Sequence, residues 1–267
     1  VHGRSESKAE NVKDRLASLK DGYAVNTVIC DLSNLNSVRS MVSEITERFG
    51  NLDVLINNAG VYATSEPTTE AGLDVRFAVN TLAPYLLTKQ LLPSMSSTSR
   101  VVNLSSAAQA PVKLDALKGN VKVGDGEAYA QSKLALTMWS HYLGAQNKQS
   151  GPMIVSVNPK SLLGSKMVKE AYGIAGGDIR LGAEILVRAA LSDEFATAHG
   201  CYYDNDIESF SNPHPDAMNT EKIATIIKRF LIRCITPEND CLQFRFAYLH
   251  QDKGMLPVPL QRLLVRG

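Results

Sequence analysis

The stretch Leu52-Asp53-Val54-Leu55-Ile56-Asn57-Asn58-Ala59-Gly60 decides how the rest of the chain is read. Leu52–Ile56 is short and apolar and runs straight into turn-forming residues, the pattern of a strand buried on both faces. The same design recurs along the chain. Ala24–Cys30 leads into Asp31-Leu32-Ser33, Val101–Leu104 ends at Ser105-Ser106, Met153–Val157 ends at Asn158-Pro159, and Cys201-Tyr202-Tyr203 is a shorter relative. Helical patterns fill the gaps. Ser5–Lys20 has a capping serine and stops at Asp21-Gly22, and Val38, Met41, Val42, Ile45 and Phe49 mark a second helix closed by Gly50. Further helices are predicted over Glu70–Pro93, Gly126–Lys148, Asp178–Leu191 and Thr220–Cys234.

Strands alternating with helices predict an α/β fold with a doubly wound parallel sheet, right-handed crossovers and cover on both faces. Ligands in such sheets bind beyond the carboxyl ends of the strands. The unusual polar residues fall at those ends: Asp31, Asn58-Ala59-Gly60, Ser105-Ser106 and Asn158-Pro159. Each alone is ordinary turn chemistry; four in one register point to a shared cleft.

Composition narrows the function classes. The chain has 267 residues, 44% hydrophobic and 21% charged, enough apolar mass for one large α/β domain. A net charge of +1, with Lys and Arg spread along the chain, argues against a nucleic-acid surface. No run is long and apolar enough for a transmembrane segment. The first residue is Val and no signal peptide is visible. Cys30, Cys201, Cys234 and Cys241 lack metal-ligand or redox spacing, so the expectation is reduced thiols in a cytoplasmic protein and no bound metal.

The segment Tyr129-Ala130-Gln131-Ser132-Lys133 carries the chemistry. On a helix, positions four apart share a face, so Tyr129 and Lys133 point the same way. An ammonium beside a phenol favours the phenolate and lowers a pKa that starts near ~10. Such a tyrosine can give or take a proton near neutral pH.

The set Asp31-Leu32, Asn57-Asn58-Ala59-Gly60, Asn80, Val101-Val102-Asn103-Leu104-Ser105-Ser106, Tyr129-Ala130-Gln131-Ser132-Lys133 and Asn158-Pro159 resembles the short-chain dehydrogenase/reductase family in order and spacing. The resemblance covers about residues 1–235, a Rossmann-like domain, and leaves 236–267 as an unassigned tail. It implies hydride transfer between a nicotinamide and a carbonyl or alcohol carbon. Tyr129 would be the acid or base. Lys133 would lower the Tyr129 pKa and hold the nicotinamide ribose. Ser106, rather than Ser105, would bind the substrate oxygen. Asn80 would break its helix locally and hold a water in a proton relay to Lys133. Asp31 and Leu32 would meet the adenine edge, Asn58-Ala59-Gly60 the adenosine side, and Pro159 and Leu162 the nicotinamide end. Arg4, at a strand end beside the adenosine ribose, favours NADP, with NAD as the other candidate.

Twenty-two residues separate Ser106 from Tyr129, more than in many members. That spacing resembles the branch with retinol dehydrogenases and protochlorophyllide reductases, and implies a hydrophobic carbonyl or alcohol substrate. The loop Ala107–Gly126 is expected to overhang the cleft. Ser161–Gly177 matches a substrate lid with an apolar inner face of Leu162, Leu163, Met167, Val168 and Tyr172, hinged by Gly164, Gly173, Gly176 and Gly177. Ala83, Leu86, Leu87, Leu134, Met138 and Trp139 are expected to form the seam of a homodimer or homotetramer.

The sequence departs from the family in three places. The opening strand, glycine-rich phosphate turn and first helix are not in it, so the sheet is expected to be truncated at its N-terminus, with two unpaired inner edges. Lys160 stands where the family has glycine. The tail Thr236–Gly267, with Leu256-Pro257-Val258-Pro259-Leu260, reads as an arm over a partner or as disordered chain. Two other readings stay open: a catalytically inactive paralogue acting as a binding or interaction protein, and an epimerase or dehydratase on the same scaffold.

Overall fold

The computed structural model describes residues 1–19 and 24–228. In chain order these residues form β1 (His2–Gly3), α1 (Glu6–Ala17), β2 (Val28–Ile29), α2 (Leu35–Phe49), β3 (Val54–Asn57), α3 (Val75–Phe77), α4 (Ala83–Leu91) and β4 (Arg100–Leu104). There follow α5 (Leu114–Leu117), α6 (Asp125–Asn147), β5 (Met153–Asn158), α7 (Lys166–Tyr172), α8 (Ile179–Leu191), β6 (Tyr202–Asp204), β7 (Ser209–Ser211) and α9 (Thr220–Ile226).

The expected parallel sheet is present. β3, β4, β5 and β6 pair in parallel in that order, and β7 closes the edge as an antiparallel hairpin partner of β6. β1 and β2 form a separate two-stranded parallel sheet. The two sheets are not hydrogen-bonded to each other among the described residues, as expected for unpaired inner edges. Ile29 on β2 and Ile56 on β3 are left exposed there.

The helices start where the sequence places a cap. Ser5 accepts from Lys8 N–H and Asn34 from the N–H groups of Asn36 and Ser37, satisfying donors that a first turn leaves free. α2 lays Val38, Met41 and Val42 against Ala83, Leu86 and Leu87. α6 is buried on every side over residues 131–140, its apolar residues in the core and its polar ones, Gln131, Ser132, Lys133, Thr137 and Ser140, hydrogen-bonded within the protein. Its first turn is anchored by Arg76, which is 1% exposed. The Arg76 guanidinium donates to Asp74 at 2.9 and 2.5 Å and to Asp125.

Three expectations need correction, and a fourth lies partly outside the described residues. The strand predicted over Ala24–Cys30 shrinks to Val28–Ile29, because β1 offers only two residues to pair with. The helix predicted over Glu70–Pro93 begins only at Val75, where Asp74 caps it, and is interrupted by a π-helical turn at Ala78–Leu82. The last predicted helix is seen as Thr220–Ile226, and its continuation to Cys234 lies outside the described residues, as do Cys241 and the tail Thr236–Gly267. The expected dimer seam is no surface. Ala83, Leu86, Leu87, Leu134, Met138 and Trp139 are all buried within the chain. Leu134, Met138 and Trp139 share one core cluster with Leu117, Ala217, Ile223, Ile226 and Ile227, so the chain's own later segments cover that face.

Candidate active site

A cavity of about 930 Å³ opens beyond the carboxyl ends of β3, β4 and β5, within the range of small-molecule sites. Asn58, Ala59 and Gly60 line it from β3, Ser105 and Ser106 from β4, Tyr129 and Lys133 from α6, and Pro159 and Leu162 from β5. Three of the four polar strand ends therefore converge, Asn58-Ala59-Gly60, Ser105-Ser106 and Asn158-Pro159, while Asp31 does not reach the cavity.

Tyr129 and Lys133 lie one turn apart on α6, with Lys133 Nζ 5.6 Å from the centre of the Tyr129 ring. Tyr129 and Ser106 line the cavity together, and the Ser106 hydroxyl is near enough to act on the Tyr129 phenol. Ser105 is set aside for structure: its hydroxyl lies 2.6 Å from that of Thr137, and its N–H donates to Val157 O. The Ser106 hydroxyl accepts from Ala108 N–H at 3.1 Å. Its carbonyl accepts from Gln109 Nε2 at 2.9 Å and from the Tyr202 hydroxyl at 3.2 Å. Gln109 and Tyr202 escaped sequence reading because one lies in an irregular loop and the other on a later strand.

The electrostatics correct one expectation. Lys133 does not lower the Tyr129 pKa in this arrangement. Its ammonium donates to Leu104 O at 2.7 Å and lies 5.6 Å from the centre of the phenol ring. Burial raises Tyr129 above the ordinary phenol value, against a lowering effect of the nearby Ser106 hydroxyl. Burial also pulls Lys133 down from 10.5 to about 8.

Asn80 sits inside the π-helical turn, so the predicted local break in its helix is there. Its side chain is bound within the protein. Oδ1 accepts from Val61 N–H at 2.8 Å, and Nδ2 donates to Val61 O at 2.9 Å and to Ser132 Oγ at 3.0 Å. Both amide donors are thus taken, and Asn80 pins the loop after Gly60 to α6.

Arg4, Asp31 and Leu32 stand apart from the cavity, on or beside the separate two-stranded sheet. Arg4 is exposed next to the Ser5 cap. Asp31 accepts from the N–H and hydroxyl of Ser33 in a local turn. Leu32 is buried against the α2 core.

After β5 the backbone is strained. Lys160 has φ 122° and Leu162 φ 51°, values that favour glycine. Lys160 lines the cavity, and its ammonium donates to Asn205 O at 3.3 Å. Asp206 holds this corner by accepting from Ser161 N–H and Oγ and from Asn158 Nδ2. Burial pushes the Asp206 carboxyl up, but those bonds and the nearby Lys160 outweigh it and hold the group below the usual carboxylate range.

The lid is built as expected. Leu162, Leu163, Met167, Val168 and Tyr172 all line the cavity. Its base is closed by Gly164 N–H to Gly177 O and Gly177 N–H to Leu162 O, at 2.7 and 2.8 Å. A side chain on Gly176 would lie 2.7 Å from Gly164 backbone, so this approach needs glycine. The loop over 107–126 does not overhang the cleft as a unit: only Ala108 lines the cavity, while Ala116 and Leu117 turn into the core. Tyr62, another wall residue, was missed because it follows the Asn58-Ala59-Gly60 turn without a motif of its own.

The residues fit the reactive end of a nicotinamide cofactor. Among the described residues, fully buried Lys133 has one protein acceptor for three N–H donors. It faces Gly60, where the Cβ of any larger residue would lie 3.7 Å from Nζ.

Comparison with known proteins agrees with this geometry. The profile of the short chain dehydrogenase family matches residues 1–172. Human retinol dehydrogenase 13 is 31% identical over 218 residues, 74% of this chain and 65% of that protein. Human polyprenol dehydrogenase is 33% identical over 151 residues, 54% of this chain and 46% of that protein. The chain thus spans just under two-thirds of the first relative's length and under half of the second's. A short chain dehydrogenase from Burkholderia cenocepacia J2315, solved in complex with NADP, shares the fold with a TM-score of 0.58 at 22% identity, covering 76% of this chain and 83% of that one. Sheet order, the Ser106–Tyr129–Lys133 cluster and the profile match meet on one conclusion: the chain belongs to the short-chain dehydrogenase family, on its retinol-dehydrogenase-like side.

Proposed function

We propose that the protein is an NADP-dependent oxidoreductase acting on a hydrophobic carbonyl or alcohol. The observation that carries this reading is that Ser106, Tyr129 and buried Lys133 line one cavity together, a cavity walled by aliphatic side chains. A bound nicotinamide supplies or accepts the hydride. Ser106 and Tyr129 hold the substrate oxygen between two hydroxyls. In reduction Tyr129 gives its proton to that oxygen, and in oxidation it takes one back. Lys133, with Gly60 and Pro159 around it, holds the nicotinamide ribose. NADP rather than NAD is favoured by Arg4 and by the ligand of the Burkholderia structure. Free Cys30 and Cys201 accord with a reducing, cytoplasmic setting.

The test is Tyr129→Phe, assayed with NADPH and a bulky apolar ketone. Loss of a positioned proton donor lowers turnover by about 10²–10⁴-fold. A variant that keeps turnover within a factor of about two refutes the role. Lys160, strained where glycine is expected, favours a second reading: a silent paralogue that acts by binding. Saturable NADPH binding, seen as a raised melting temperature, counts against that alternative.

A further inference from the structure

We propose that Tyr62 is a positioning residue that ties the lid to the proton donor, so that closure over the substrate and the aim of the Tyr129 hydroxyl change together. The inference rests on Tyr129 being the proton donor. Tyr62 stands between the two parts. Its ring centre lies 5.1 Å from that of Tyr129, tilted by 50°. On the other side it lies 5.7 Å from Tyr172, tilted by 53°, and the Tyr172 hydroxyl donates to the Tyr62 hydroxyl at 3.4 Å. All three rings line the cavity.

The mount on one side is rigid and on the other side loose. Val61, the preceding residue, has both its N–H and its carbonyl held by Asn80. The Tyr62 hydroxyl also presses on the first turn of α6, where it lies 3.0 Å from the place a Gly126 side chain would take. α7, by contrast, has seven residues and buries none of them. It ends at Gly173 with φ 68° and returns through the Gly164–Gly176 contact. A helix so short is marginal without tertiary contacts. Its last residue, Tyr172, meets Tyr62 by ring and hydroxyl alike.

The experiment is hydrogen exchange on the full chain, comparing wild type with Tyr62→Ala, Tyr62→Phe and Tyr172→Phe. Loss of the ring should speed exchange of the 166–172 amides by about tenfold, and loss of a hydroxyl alone by about two- to threefold, with β4 and α6 amides unchanged. In NADPH-dependent reduction of a bulky apolar ketone, Tyr62→Ala should raise KM and lower kcat together. Tyr62→Phe, which keeps the ring on Tyr129, should restore kcat more than KM. Lid exchange within about twofold of wild type in Tyr62→Ala overturns the tie, as does faster lid exchange with an unchanged kcat. If Tyr62→Ala fails to fold, the two phenylalanine variants decide: wild-type lid exchange in both overturns the proposal. A wild type that reduces no carbonyl sinks the proposed function, while the exchange comparison still decides whether Tyr62 holds the lid.

Discussion

Replacing Lys133 by methionine should abolish a pH dependence of stability that the wild type carries. Burial holds the folded lysine at about 8, against 10.5 when exposed. Between those values the unfolded chain keeps a proton that the folded chain has lost, so stability rises with pH through that window. Below it, the cost of burying the charge is carried in full, about 3 kcal/mol. From about pH 7 to about pH 9.5 the wild type should gain about 2 kcal/mol relative to the variant. Cys30 works in the opposite direction, since burial raises its thiol to about 11, but it is present in both proteins and cancels in the comparison. Leu104 O loses its donor in the variant at every pH, so that loss cancels too. The assay is urea denaturation followed by the fluorescence of Trp139, the single tryptophan and fully buried. With a slope of about 2–3 kcal/mol per molar, the wild-type midpoint should move up by about 0.7–1 M relative to that of the variant. Parallel movement of the two midpoints refutes the assignment of Lys133 as a charge buried at a cost.

Other perturbations test separate parts of the structure. Lys160→Gly should stabilise the protein by about 1 kcal/mol, the relief of a φ of 122° outweighing the added freedom of the unfolded chain, and a thermal melt checks it. Arg76→Ala should cost about 3–5 kcal/mol, because Asp74 is left buried without its partner, and denaturant midpoints read the loss. Asn80→Ala should free the Val61 N–H and carbonyl, costing about 1–3 kcal/mol and speeding amide exchange at Val61 more than within β3. Ser106→Ala should lower kcat by more than it raises KM, since its hydroxyl meets the substrate oxygen where charge develops.

What the sequence could and could not disclose follows from the range of the interactions involved. β4 and β5 were legible because both faces are buried and their residues are mostly apolar and β-branched. Ser106, Tyr129 and Lys133 were legible because each sits at a fixed offset from a regular element. The direction of the Tyr129 pKa was not, because it depends on where the Lys133 ammonium finds its acceptor, and Leu104 O comes from a strand 29 residues away. The buried fate of Leu134, Met138 and Trp139 was hidden for a similar reason. An apolar helix face reads the same whether a second subunit or the chain's own Ala217 and Ile223 covers it. β7 went unseen because Ser209–Ser211 has only one apolar residue and its partner strand supplies the pairing.

The site divides into a fixed part and a movable one, and the division bears on how substrate choice and chemistry can vary independently. Ser106 is clamped through its carbonyl by Gln109 and Tyr202, and Lys133 through Leu104 O. Tyr129 rides on a helix whose first turn is locked by the Arg76–Asp125 pair. None of these supports involves a glycine hinge. The apolar wall, by contrast, hangs on Leu162, at a positive φ, and on the Gly164–Gly176 contact, with Asp206 as its anchor in the β6–β7 turn. Side-chain changes along Met167–Tyr172 can reshape the cavity without moving the proton donors, provided that Tyr62 is kept. Tyr62 is the residue common to both parts, and it is through its ring that the movable wall can act on the fixed acid.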